Sequence, residues 1–268
     1  MKTHYLNFAI GFGVVCGFVL GTAVSSRGQS VPGVSDKEIA IGSCSALEGP
    51  SHFLGVQTVT GAKAYFSLIN EEGGVHGRKL KLIAYDDSYD PAKTQVCFDR
   101  LMGDKVFALG FFVGTPTAVK YVPMAESAKI PVVGLFTGAQ ILYAPLRHWV
   151  VNVRASYFDE TREQMDGLWN TLGYKKIGVI YPEDAFGAAV LEGVKTALKG
   201  HGAEPVATGS YQRQTAQVGG AIDTVRAANP DAVSSWDRLT RWRRSSNRRT
   251  PRAGNLSSLR SRLLGRMN

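Results

Sequence analysis

The sequence predicts an α/β fold built on parallel sheets, and three observations carry that expectation. The first is the stretch 71–91, EEGGVHGRKLKLIAYDDSYDP, which packs a helix end, a strand and a new helix start into about twenty residues. Gly73-Gly74 follows an apolar-periodic run, where a helix can close on a residue in the left-handed region. Leu80, Leu82 and Ile83 form a short apolar strand, and Asp90-Pro91 reads as an N-cap followed by an N1 proline. The second is that short apolar runs alternate with helix-period segments from 38 to 233, the pattern of βαβ units with a sheet covered on both faces. The third is length: 268 residues suffice for one large or two small α/β domains.

Taken in order, residues 38–43 (EIAIGS) read as a buried strand and 46–55 as a Gly/Pro/Ser loop. Val59, Ala62, Phe66 and Ile69 fall on one helix face at 3-4-3 spacing. After the strand around Leu82, Cys97 and Leu101 share a face of the second helix, and the apolar run 106–113 (VFALGFFV) reads as a central strand. Gly114-Thr115-Pro116 is expected to be a turn with a Thr N-cap and N1 proline, and Pro123 to kink or restart the helix that follows. Residues 130–136 (IPVVGLF) and 149–153 give a fourth and fifth strand. A second series begins at Tyr157, with Asp159 and Glu160 in a first helical turn. Met165, Leu168, Trp169 and Leu172 mark its buried face. Strands are expected at 176–181 and 206–211, helices around Leu191, Val194, Leu198 and around Val218, Ile222, Val225, and a last strand that opens at 229–233 (NPDAV) but is cut off after Val233.

Charge is divided sharply. The formal net charge is +9, yet residues 1–233 contain 21 Lys+Arg and 21 Asp+Glu. The whole excess lies in 234–268, which hold ten Arg, no Lys and one acid, Asp237. The composition changes at one position, inside an expected strand, where a linker would not begin. Ten Arg with Trp236 and Trp242 could contact phosphates and bases, but Arg-, Ser- and Pro-rich sequence without Lys is also what a GC-rich gene yields out of frame. The expectation is a tail that is disordered or out of frame after Val233, with no nucleic-acid partner. At the other end, Lys2 and His4, an apolar run 8–20 and small residues at 21–23 have the n-region, h-region and cleavage pattern of a secretory signal over 1–25. The apolar run is short for a membrane span. Export would leave Cys44 and Cys97, which can pair in an oxidising compartment or stand as two buried apolar thiols; the sequence leaves both open.

Chemistry is sparse. Small polar residues recur at three strand ends (45–54, 114–115 and 137–138), where open α/β sheets bind ligands, although the same residues serve ordinary strand-to-helix turns. Gly114-Thr115-Pro116 offers backbone N–H groups and a hydroxyl to an anion. Asp86, Asp87 and Asp90 lack the spacing of a calcium loop and read as a solvated strand end plus an N-cap. No Ser/His/Asp or Cys/His arrangement, Walker loop, dinucleotide fingerprint or zinc spacing occurs, so no enzyme activity, cofactor or metal is expected.

The run 38–233 resembles the periplasmic substrate-binding proteins of branched-chain amino-acid ABC transporters, of the leucine/isoleucine/valine-binding type. The residues that carry the resemblance are ALEGP with Gly55, TGAKAYFSLINEEGGVHGRKLKLIAYDDSYDP, VGTPT, IPVVGLFTGAQ, NVRASYFDET, GVIYPEDAFGAAVLEGVKTALKGHGAE and NPDAV, about three-quarters of the chain. The resemblance implies a type I periplasmic binding fold: two Rossmann-like lobes with parallel sheets, lobe 1 over 34–153 and an incomplete lobe 2 over 154–233. It implies a solute receptor in the periplasm that closes on an amino acid or similar small carboxylate and is recognised by an ABC permease. Gly114, Thr115, Thr137 and Gly138 would hold the carboxylate. Ser51 and Leu54 would touch the ligand from the first loop, and Tyr157 and Phe186 on closure. Tyr89 and Val113 stand where some members have a disulfide, so that bond is expected to be absent. Gly138 replaces a position that often bears a hydroxyl. The acid that would meet a ligand ammonium, and the aromatic expected soon after NPDAV, would be lost with the rest of lobe 2. A ligand-sensing receptor domain of the same fold is the alternative role.

Overall fold

The computed structural model describes residues 31–213, 215 and 217–236. The expected signal segment (1–25) and the tail beyond Trp236 lie outside the described residues. Two sheets, each entirely parallel, are built from consecutive β-α units. The first contains β1 (Glu38–Ser45), β2 (Lys79–Asp86), β3 (Ala108–Gly110), β4 (Val132–Val133) and β5 (Val150–Val151) in the order β2-β1-β3-β4-β5. The second contains β6 (Ile177–Pro182), β7 (Ala207–Tyr211) and β8 (Ala232–Ser235) in the order β7-β6-β8. In each sheet the chain leaves a central strand to one side and returns on the other. Each therefore has a point where the winding reverses and a crevice opens at the strand ends.

The helices form where the apolar spacing and caps predict. In α1 (His52–Glu71), Val59 and Ala62 are buried on the sheet side. In α2 (Pro91–Gly103) the Asp90 carboxylate accepts from the backbone N–H of Ala92 at 2.7 Å and Lys93 at 3.3 Å. α4 (Tyr157–Asp166) starts at a capping box in which Ser156 and Asp159 satisfy each other's backbone, then passes into a π turn (Gly167–Thr171). α2 and α3 (Thr115–Ala128) cover one face of the first sheet around Leu101, Leu109, Phe112 and Tyr121. In the second sheet β6 is buried on both faces: Ile177 and Val179 pack with residues of α4 and α5 (Ala185–Gly200), and Ile180 packs with Val218, Ala221 and Val225 around α6 (Gly219–Ala227). The continuous apolar run of KIGVIY follows from that double burial. Cys44 on β1 and Cys97 on α2 are joined by a disulfide with Cα atoms 6.0 Å apart, which settles the choice the sequence left open.

Several expectations are corrected. The run 106–113 is not one strand: pairing holds only over Ala108–Gly110, because Phe111 takes φ +63°. The run 130–136 breaks at the same level, where Gly134 takes φ +65°, and the two chains meet again only at the Val113–Phe136 bridge. α3 does not restart at Pro123 but continues through it to Ala128, with Tyr121, Val122 and Ala125 buried on either side. Its N-cap is Gly114, not Thr115. Asp87 is fully buried rather than solvated, accepting from the Tyr89 N–H and the Thr94 hydroxyl, both at 2.9 Å; burial pushes its pKa up to about 6. Last, the strand opening at NPDAV does not stop at Val233. β8 continues to Ser235, paired with β6 from Ile177↔Ala232 to Ile180↔Ser235.

Candidate functional site

The strand ends of the two sheets face a cleft of about 350 Å³. From the first sheet come Ser51, Phe53 and Leu54 after β1, Tyr89 after β2, Val113 and Gly114 after β3, and Phe136 after β4. Arg154 and Tyr157 belong to the crossover into the second sheet, which adds Phe186, Arg213, Ser235 and Trp236. Polar and charged groups are few and rings are many, as in a site that closes on a small organic molecule.

Each wall is held by local chemistry. The Asp86 carboxylate accepts from the N–H groups of Leu47 and Glu48, both at 2.8 Å, and from the Ser88 hydroxyl at 2.6 Å, which fixes the first loop beside the turn carrying Tyr89. Burial opposes the charge on Asp86, but these donors hold its pKa below the ordinary carboxylate value. Gly114 takes φ +106°, and a Cβ there would lie 2.5 Å from the Tyr89 ring, so only glycine fits. Buried beneath are the hydroxyls of Thr115 and Thr137, 2.8 Å apart, with Tyr157 Oη 3.3 Å from Thr137. Gly138 lies against the crossover: its carbonyl accepts the Tyr157 N–H at 2.7 Å, and a Cβ would stand 2.8 Å from the Ala155 carbonyl oxygen. A hydroxyl-bearing residue has no room there.

On the second side Asp184 caps α5, accepting from the N–H of Phe186 at 2.9 Å and Gly187 at 3.0 Å, and also accepts from Arg213 Nε. Burial works against the Arg213 charge, but the Asp184 contact and the neighbouring tyrosines hold its pKa above the ordinary value. Tyr157 packs edge-on against Phe186 at 5.4 Å and Trp236 at 6.4 Å. Arg154 donates to Glu160 through Nε at 2.9 Å and Nη2 at 2.7 Å, with its guanidinium over Phe136 and Tyr157.

Of the eight residues singled out from sequence, Ser51, Leu54, Gly114, Tyr157 and Phe186 line the cleft. Thr115, Thr137 and Gly138 lie behind its wall, their polar groups spent on one another and on the crossover. An aromatic, Trp236, does follow NPDAV and lines the cleft, its indole N–H donating to Ser234 Oγ at 2.9 Å. Sequence reasoning missed Tyr89 and Phe136, which stand at strand ends and could have been found by that rule. Arg154, Arg213 and Ser235 carry no local signal. Tyr89 and Val113 pack together with Ala46.

The chain matches the family described as periplasmic binding protein over residues 38–238. It belongs to that family. Among curated relatives of this periplasmic binding protein, an amino acid binding protein of Pseudomonas aeruginosa is 26% identical over 220 residues, covering 80% of this chain and 58% of the relative. A Leu/Ile/Val-binding protein homolog of Brucella melitensis is 26% identical over 165 residues, covering 60% and 44%. Among solved structures, a possible leucine/isoleucine/valine-binding protein from Rhodopirellula baltica superposes with a TM-score of 0.73 at 32% identity, over 82% of this chain and 62% of that one. The chain thus spans about half the length of the curated relatives it matches. The matched region ends beyond Trp236, so β8 and the cleft tryptophan fall inside the family's part of the sequence.

Proposed function

We propose that this periplasmic binding protein is the extracytoplasmic solute-binding component of an ABC uptake system for amino acids or related small carboxylates. The observation that carries the reading is the cleft itself: both winding reversals open onto it, and rings and a few polar groups converge there. Relatives named as amino-acid and Leu/Ile/Val-binding proteins support the ligand class. On this reading Ser51, Leu54, Gly114, Tyr157 and Phe186 touch the ligand, while Thr115, Thr137 and Gly138 hold the wall and the crossover in register. No bond is made or broken. Ligand binding biases an equilibrium between open and closed lobes, and a permease reads the closed state. The sequence pattern at 1–25 supports delivery to the periplasm, and no helix among the described residues is long and apolar enough to cross a membrane. Because the chain spans 44–58% of these relatives, full closure and delivery to a permease are proposed for the whole protein rather than for residues 31–236 alone.

Titration calorimetry of the purified chain with leucine, isoleucine, valine and 3-phenylpropanoate tests the reading. Saturable one-to-one binding of at least one is expected, together with a thermal shift that grows with ligand concentration. Flat isotherms for every one of them would sink it.

A further inference from the structure

We propose that Arg213 and Ser235 form an anion subsite in the cleft, and that this chain takes a carboxylate with an aromatic or bulky apolar body and no ammonium group. The inference rests on the solute-binding reading above and narrows its ligand class. Arg213 spends Nε on Asp184, whereas its Nη2 is buried with no hydrogen-bond partner among the described residues. Ser235 Oγ, at the end of β8, is in the same state. Both residues line the cleft. Buried polar groups in folded proteins are almost always satisfied, so two in one cavity mark where a ligand acceptor belongs. The guanidinium lies 5.0 Å from the Tyr89 ring and 5.3 Å from the Phe186 ring, which holds its charge at the cleft wall.

No Asp or Glu lines the cleft among the described residues. The nearby carboxylate of Asp184 already accepts from two backbone N–H groups and from Arg213, and that of Glu160 is taken by Arg154. An ammonium would meet two guanidinium groups and no free acid. The other place suited to an anion, the start of α3, is filled from within: the Tyr89 ring stands against Gly114, and the Thr115 and Thr137 hydroxyls bond to each other. The body of the ligand faces Tyr157, Phe186 and Trp236, rings already in edge contact that offer faces to a further ring.

The test is titration calorimetry of the unaltered chain with three probes: 3-phenylpropanoate, its neutral amide, and L-phenylalanine, which adds the ammonium. The acid is expected to bind roughly tenfold to a hundredfold more tightly than either of the others, the range of a charge-assisted hydrogen bond. Arg213→Gln is expected to bring the acid down to the level of the amide, and Ser235→Ala to weaken it by a smaller factor. Should Arg213→Gln fail to fold, judged by its thermal melt, the comparison of probes on the unaltered chain decides alone. Equal binding of acid and amide, or phenylalanine binding as tightly as the acid, overturns the inference. Binding of leucine or valine with no binding of 3-phenylpropanoate overturns it while leaving the solute-binding reading intact, and no binding of any probe overturns both.

Discussion

The two faces of the first sheet make opposite use of the same residues. β4 and β5 each consist of Val-Val, and the register sets Val132 beside Val150 and Val133 beside Val151. Successive side chains on a strand point to opposite faces. Val132 and Val150 therefore enter the core under α2 and α3, at 0% and 9% exposure, whereas Val133 and Val151 stand 39% and 52% exposed. Val153, just beyond, is 74% exposed. On that second face α1 packs chiefly on β2, and Phe66 meets Phe111 edge-on at 5.8 Å, but no described element covers β4 and β5. Identical side chains on adjacent positions thus contribute very differently, and the difference is set by which helices the fold places above them.

The contrast can be broken at several levels. The largest effect should come from the disulfide that ties β1 to α2 on the covered face. Replacing Cys44 and Cys97 with Ser opens a loop whose ends are 53 residues apart, and loop-entropy arguments put the cost at about 4 kcal/mol, read from denaturant midpoints. Next is pH. Asp87, buried against α2 through Thr94, has its pKa raised from 3.8 to about 6, first by burial and then by Asp86 and Asp90. A carboxyl with a raised folded pKa contributes stability that is fully present below about pH 4 and is lost as pH rises through about 6. The loss should approach 3 kcal/mol at most. Stability curves of Asp87→Asn should lose that slope between pH 4 and 7; an unchanged slope would place its origin elsewhere. The finest probe is the valine pair. Val132→Ala should cost about 2 kcal/mol, and Val133→Ala less than about 0.5 kcal/mol. Equal costs would mean that the second face is covered in solution.

Much of this was legible in the residues. Asp90-Pro91 announced the start of α2, Gly73-Gly74 the end of α1, and the apolar runs the strands, because caps, turns and periodicity act over a few residues. The places where reading failed share a cause. Phe111 and Gly134 leave the extended conformation together, so a run that looks continuous in one strand is broken by its neighbour. Asp87 looked solvated because nothing local reports that α2 closes over it. Trp236 sat in a stretch whose changed composition hid it, although it packs against a tyrosine 79 positions earlier in the chain.

The same division runs through the site. The order of β-α units, and with it the strand-end loops at 45–54 and 114–115, is written in local pattern, whereas Ser51, Leu54, Tyr157 and Phe186 are singled out only through the family resemblance. Which polar groups remain available there was decided only by tertiary structure. Thr115 and Thr137 lie 22 residues apart and satisfy each other, while Arg213 follows β7, Ser235 ends β8, and both keep buried atoms without partners among the described residues. A hydrogen bond between distant residues depends on where two elements pack, and no short-range signal encodes that position.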